Sequence, residues 1–364
     1  MKKILLSVLI FFTICHCAYA QYWGVWQRAS QYDQSTFGFS SDEKYVFFVK
    51  AKEFWVDNIY MIELKTNTIT PVTAFREARP IREGIVLFGP KPTILFTRIA
   101  SDNYTDDHLY RVNAFSNDKP IDITPNDSAS RKKIIGMAYN GKYVYYTSDK
   151  GNGTKTNTYR YDIQLQTVEL VKANDTDYET MCWSRDQTHL LQRDQKNGDI
   201  YSYSFETKDR QKLILPYYSS DLKTVFFDPF DSLYYYIINK ANDGKYYFGI
   251  GKADLSSAYL HEPITPGIAG VYAANLSQFG KYIHLLATDG ERILETSTYH
   301  SFGLDGQDCI ISPKETSVLS VVFDRTKYPI VEKIYLYDIA KKTNKELTEF
   351  QLPPRQDRVK IQDK

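Results

Sequence analysis

The sequence predicts an all-β chain, a seven-bladed β-propeller of four-stranded antiparallel blades, on three observations. Tyrosine and phenylalanine number 30 and 20, and they gather in short runs bounded by Gly, Asn, Asp and Pro, which is strand composition. Continuous apolar runs start at Tyr45, Ile94, Tyr143, Leu190, Leu233, Tyr282 and Val318, so successive starts lie 49, 49, 47, 43, 49 and 36 residues apart. A period in the forties is that of one propeller blade. Each run also sits at the same place in a longer pattern of turns and weaker apolar pieces. Six or eight blades also fit the chain.

The elements of a blade follow in order. An innermost strand is expected at Phe37-Gly38-Phe39, Met137-Ala138-Tyr139, Cys182-Trp183 and Ile310-Ile311, each just before a turn. The second strand is the marker run itself, apolar at nearly every position because neighbouring blades cover both faces. A third strand follows at Ile59–Ile62, Leu109-Tyr110, Thr158-Tyr159, Ile200-Tyr201, Tyr247-Phe248, Ile293-Leu294 and Ile334-Tyr335. In the first repeat Tyr60, Ile62 and Leu64 alternate with Met61, Glu63 and Lys65, so this strand is expected to expose one face. The fourth strand is polar, as in Thr68–Thr73 and Lys345–Thr348, which discourages pairing at the blade's edge.

These repeats resemble the propellers of the TolB type and those of prolyl oligopeptidase-type peptidases. Their blade motif is Ser-x-Asp-Gly-Lys before an apolar strand, then Asp-Ile-Tyr with an acidic residue, then a threonine-ended outer strand. Ser41-Asp42-Glu43-Lys44, Asn58-Ile59-Tyr60, Glu63 and Thr73 match it in the first repeat. Asn140-Gly141-Lys142-Tyr143 and Ser277-Gln278-Phe279-Gly280-Lys281-Tyr282 match it later. The resemblance covers residues 36–350 and implies the fold, not an activity. No Gly-x-Ser-x-Gly occurs, so no attached hydrolase domain is expected.

The remaining segments bound the setting. Lys2 and Lys3, an apolar run from Ile4 to Ile14 and Ala18-Tyr19-Ala20 read as a secretory signal peptide over residues 1–20. Residues 21–35, with Trp23 and Trp26, are expected to pack on the propeller along the last blade, and residues 351–364 form a polar tail. The expected location is periplasmic or secreted, as a monomer with no membrane insertion, since no later run is long enough to span a bilayer. Without Lys2 and Lys3, 45 basic and 44 acidic side chains become 43 and 44. That near-neutral balance argues against nucleic acid as partner. The short cluster Arg131-Lys132-Lys133 reads as solvated. Only Cys182 and Cys309 follow the leader, on inner strands of non-adjacent blades, and they are expected to remain thiols.

Function rests on loops. The B to C loop of the second blade, residues 99–108, carries Tyr104, Asp107 and His108, an aromatic beside charged groups, and these three are the expected binding residues. The loop lacks the alternating acidic spacing of a calcium site, so no metal is assigned and no cofactor is expected. Asp194–Asp199 and Asp149–Gly153 read as hairpin turns, because Asn-Gly and Asp-Gly accept positive φ. The favoured reading is a non-catalytic binding or scaffold propeller that recognises a protein or peptide at one end face. The competing one is a carbohydrate-active lyase or hydrolase with its site at the channel mouth.

Overall fold

The computed structural model describes residues 25–27, 37–51, 56–87, 91–100, 106–116, 118–125, 130–138, 141–149, 156–175, 177–183, 189–204, 207–212, 222–227, 233–240, 245–252, 261–262, 271–277, 280–287, 289–298, 300–324 and 331–351. The proposed leader, Tyr104 and the polar tail beyond residue 351 lie outside them. The chain is all-β, with the four-stranded antiparallel blades of a β-propeller.

A short strand, β1 (Val25–Gln27), precedes sheet I, which holds β2 (Phe37–Phe39), β3 (Tyr45–Ala51), β4 (Asp57–Glu63) and β5 (Thr68–Pro71). Sheet II takes β1 together with β6 (Ile81–Leu87), β7 (Thr93–Ile99), β8 (Asp107–Asn113) and β9 (Ile121–Asp122). Sheet III is β10 (Lys132–Met137), β11 (Tyr143–Ser148), β12 (Thr156–Asp162) and β13 (Thr167–Asp175). Sheet IV is β14 (Tyr178–Trp183), β15 (His189–Asp194), β16 (Ile200–Ser204) and β17 (Arg210–Lys212), and sheet V is β18 (Leu222–Phe227), β19 (Leu233–Lys240), β20 (Lys245–Lys252) and β21 (His261–Glu262). Sheet VI is β22 (Val271–Leu276), β23 (Tyr282–Ala287), β24 (Gly290–Glu295) and β25 (Ser301–Leu304). Sheet VII is β26 (Gln307–Ile311), β27 (Ser317–Asp324), β28 (Val331–Asp338) and β29 (Thr343–Gln351). Six sheets thus have the expected four strands, and sheet II has five because β1 joins it.

The described residues fall into two compact units, one within Asp175–Leu304 and one within Trp23–Asn174 and Asp305–Lys364. In the second unit the alternation of β3 explains its unbroken apolar run. Val46 and Phe48 pack with Phe39 and Ile62 against Leu319, Val321, Ile334 and Leu347 of sheet VII. Phe47 and Val49 point the other way, to Ile81, Val86, Ile94 and Phe96 of sheet II. Burial of each such side chain stabilises by about 1.5–3 kcal/mol. The third strand departs from expectation: in β4 both Met61 and Ile62 are buried, so neighbours cover both of its faces as well. Second and third strands are further joined by stacked rings, Phe48 on Tyr60 at 5.6 Å, Phe96 on Tyr110 at 5.6 Å and Tyr146 on Tyr159 at 5.3 Å.

The first unit repeats the same hairpins. Leu190, Leu191, Ile200, Val271, Ile283, Leu285, Ile293 and Leu294 are buried along its second, third and inner strands. On the β23–β24 hairpin the buried His284 Nε2 contacts the buried Glu291 Oε2. The Asp194–Asp199 segment is a hairpin turn, as read from Asn-Gly: Asp194 Oδ1 accepts from Lys196 N at 2.8 Å, and Gly198 has φ 77°.

The turn between first and second strands has one repeated construction. Ser40, Ser277 and Ser312 are buried and accept from the N–H five residues on, Tyr45 at 3.0 Å, Tyr282 at 2.9 Å and Ser317 at 3.2 Å. Ser40, one residue before the serine aligned from sequence, is therefore the motif serine. Three residues after these serines the backbone turns left-handed, at Glu43 (φ 60°), Gly280 (φ 74°) and Glu315 (φ 58°). Glu43 holds a conformation that favours glycine, and it does so while bound to the last sheet. Its carboxylate accepts from Lys314 N and from Thr316 Oγ1 at 3.0 Å.

Val25–Gln27 does not lie along the last blade. It pairs antiparallel with β6, Val25 opposite Ile85, Trp26 opposite Gly84 and Gln27 opposite Glu83. The reason is geometric: β6 is the inner strand of sheet II, and its free edge offers the backbone groups that a short extended segment needs. Cys309 is buried on β26, and the Cys182 side chain lies outside the described residues.

Candidate functional site

Six of the described inner strands, all but β2, share a feature. Register shifts of β-bulge type fall between Ile81 and Glu83, Ile134 and Gly136, Thr180 and Cys182, Leu222 and Thr224, Val271 and Ala273, and Gln307 and Ile310. A bulge inserts a residue, bends the strand and re-aims its side chain. In sheet II the inserted residue is Arg82, whose Nε lies 3.0 Å from Asp107 Oδ1.

Asp107 and His108 are where the sequence expectation meets a correction. They are not on an exposed loop but open the third strand of sheet II, Ile99 opposite Asp107 and Arg98 opposite His108. Asp107 is 2% exposed. Its backbone N–H donates to Ser130 O at 2.9 Å, and its carbonyl accepts from Lys132 Nζ at 2.7 Å. Lys132 also donates to Ser130 Oγ at 2.7 Å. The cluster read as solvated therefore has a buried centre: β10 alternates, so Lys132 turns inward while Arg131 stays exposed.

His108, the next residue on the strand, takes the opposite face. Its Nδ1 is 2.5 Å from Asp122 Oδ2, its Nε2 is 3.5 Å from Asp106 Oδ2, and its ring lies over Tyr110 at 6.3 Å. The structure thus does not bring Asp107 and His108 into one pocket. They are the second sheet's version of a repeated position, since Ala51 faces Asp57 and Lys50 faces Asn58 in sheet I. Asp57 is likewise buried, and its Oδ2 accepts from Ile81 N at 2.9 Å, tying the third strand of one sheet to the inner strand of the next. Thr73 and Thr124 complete the parallel: their hydroxyls accept from Ile59 N at 2.9 Å and Leu109 N at 3.0 Å.

Glu83, one residue past the bulge, was not singled out from sequence. Its Oε2 accepts from Ile134 N at 2.6 Å on the neighbouring sheet. Part of the residue remains accessible, yet burial pushes its carboxyl up to about 7 against the pull of Lys133, and the Asp107 charge adds to the rise. Burial also raises the Asp107 carboxyl, opposed by Arg82 and Lys132. Two carboxyls with raised affinity for protons, held among cations, can donate or accept hydrogen bonds to a polar partner. The signal that could have found Glu83 was in the sequence: Arg82-Glu83 interrupts the otherwise apolar inner strand β6.

The linker between sheets I and II closes this end. Arg98 stacks over Phe75 at 3.9 Å and donates to Glu77 O at 3.2 Å, and Asn58 Oδ1 accepts from Phe75 N at 2.6 Å. Among the described residues no helix is long and apolar enough to cross a membrane.

Searched against models of protein families and against curated proteins, the sequence matches none. Solved structures do match. A prolyl endopeptidase is similar at 12% identity and TM-score 0.62 over 94% of this chain and 53% of that one, so the chain spans about half the peptidase's length. An oligogalacturonate lyase from Vibrio parahaemolyticus is similar at 12% identity and TM-score 0.58, over 88% of this chain and 92% of that one. TolB from Acinetobacter baumannii aligns at 12% identity and TM-score 0.49 over 84% and 82% of the two chains. At such identities the peptidase and lyase likenesses show a common fold, and that fold is the β-propeller.

Proposed function

We propose that this chain is a seven-bladed, secreted or periplasmic binding propeller, non-catalytic, that recognises a protein or peptide at one end face. The five-stranded sheet II counts as its second blade. The observation that carries the reading is the bulge on β6, which sets the charged side chain of Arg82 at the accessible end of sheet II. The recognising face is the one bearing the inner-strand bulges of sheets II and III. Arg82, whose side chain is 43% exposed, and the exposed Arg131 offer charge there, and Asp107 orients Arg82 from below. In this reading Asp107 and His108 build the face, and Tyr104, in the adjoining segment, supplies contact.

A carbohydrate-active lyase or hydrolase is the second reading, supported only by the fold likeness to oligogalacturonate lyase. A photo-crosslinking side chain placed at position 82, with position 91 at the other end of the same sheet as control, separates the two in cells that make the protein. Protein adducts from position 82 alone are expected. Adducts at neither position, together with ultraviolet detection of unsaturated uronate product from oligogalacturonate, would establish the lyase instead.

A further inference from the structure

At the end where β6 and β10 begin, sheets I to III sort their charges by depth. The acids lie inward. Asp57, Asp106 and Asp107 are buried. The less buried acids are already engaged: Glu83 accepts from Ile134 N, Asp122 contacts His108, and Asp149 Oδ1 accepts from Arg131 N at 2.8 Å. Among the described residues at this end, including the linker between sheets I and II, the exposed charged residues are Arg76, Glu77, Arg82 and Arg131. Glu77 is itself held by two cations, Arg98 Nη1 at 3.5 Å and Arg79 Nη1 at 3.6 Å. Half-buried Lys133 adds a positive charge beside Glu83. Arginine is therefore in excess on the outside, over a layer of covered acids.

We propose that the partner docks on this face through an acidic segment, its aspartate and glutamate side chains meeting Arg76, Arg82 and Arg131. This rests on the reading of the face as a protein- or peptide-binding one and adds the charge of the partner. A planar guanidinium donates two parallel hydrogen bonds to a carboxylate, and charged bonds of that kind are about twice as strong as neutral ones. Asp107 holds Arg82 by its Nε at 3.0 Å, which orients the guanidinium in advance and lowers the ordering cost of binding. Burial pushes the Glu83 carboxyl up to about 7, so this acid opposes an incoming carboxylate less than an ordinary glutamate would at neutral pH. A nucleic acid asks for a broader cationic surface than a chain of net charge +1, with Glu77 among its arginines, provides.

Fluorescein-labelled octaglutamate, octalysine and a glycine-serine octapeptide, titrated with the full chain and followed by fluorescence anisotropy, test it. Octaglutamate alone should bind, and more weakly as salt rises. Arg131→Glu and Arg82→Glu should each weaken it about tenfold, and Lys91→Glu, at the other end of sheet II, should leave it unchanged. Circular dichroism of each variant confirms folding. Octaglutamate left unbound, or bound as well by folded Arg131→Glu as by wild type, would overturn the proposal. Oligogalacturonate of equal charge bound in preference to octaglutamate would overturn it too, since the face would then suit a sugar acid. The same probe separates this proposal from the reading beneath it. A protein captured from position 82 whose capture octaglutamate does not reduce leaves the binding face standing and removes its preference for acids. No protein captured from position 82 removes the binding face itself.

Discussion

Glu83 sits where burial and charge act in opposite directions, and the balance has a measurable sign. Its ordinary value of 4.5 rises to about 7 in the folded chain. The folded protein therefore holds this proton more tightly than the unfolded one. The associated stability is fully present below the unfolded value and is lost as pH climbs through about 7. The difference is on the order of 3 kcal/mol. Glu83→Gln keeps an oxygen that can accept from Ile134 N and removes the titration. Urea unfolding at pH 5 and pH 8, on either side of about 7, should show wild type losing more stability than Glu83→Gln. Equal losses would mean the carboxylate is well solvated. Asp57 offers a second test, because its Oδ2 is the acceptor for the buried N–H of Ile81. Asp57→Ala should cost about 1–3 kcal/mol, and Asp57→Asn less. Asp107, 2% exposed, is likewise part of the sheet and not of a loop, so Asp107→Ala should lower the thermal midpoint.

At the level of elements, the second strands were the most legible. A strand covered on both faces is apolar throughout, and Tyr45–Val49 or Leu233–Ile238 shows that without an alignment. β1 was not legible as a partner of β6, because three residues carry no period and nothing local names the edge they join. The bulges were equally hidden: the inserted positions Arg82, Ile135, Met181, Lys223 and Tyr272 share no residue type. Of residues 99–108, read from sequence as one loop, the burial of Asp107 and the half-buried place of His108 on β8 were missed. A comparison of Asp107-His108-Leu109-Tyr110 with Asp57-Asn58-Ile59-Tyr60 would have assigned them to the strand. The left-handed turn position has a direct test. Gly280→Ala forces a Cβ into φ 74° and should cost about 1–2 kcal/mol by chemical unfolding, with the binding face untouched.

At the scale of the whole molecule, the packed sheets supply rigidity and the end of sheets II and III supplies charge. Packing of sheet I against sheets II and VII holds three inner strands in place, so that the bulge on β6 can present Arg82 on a rigid edge. Lys91 lies exposed at the opposite end of the same sheet and carries the same charge. The affinity of the crosslinked partner for Arg82→Glu and Lys91→Glu variants, measured by calorimetry, tests the binding face most directly. The account predicts at least about a tenfold loss for Arg82→Glu, as for a charge reversed at a partner contact, and no change for Lys91→Glu. Equal affinities in the two variants, or a larger loss for Lys91→Glu, would contradict it.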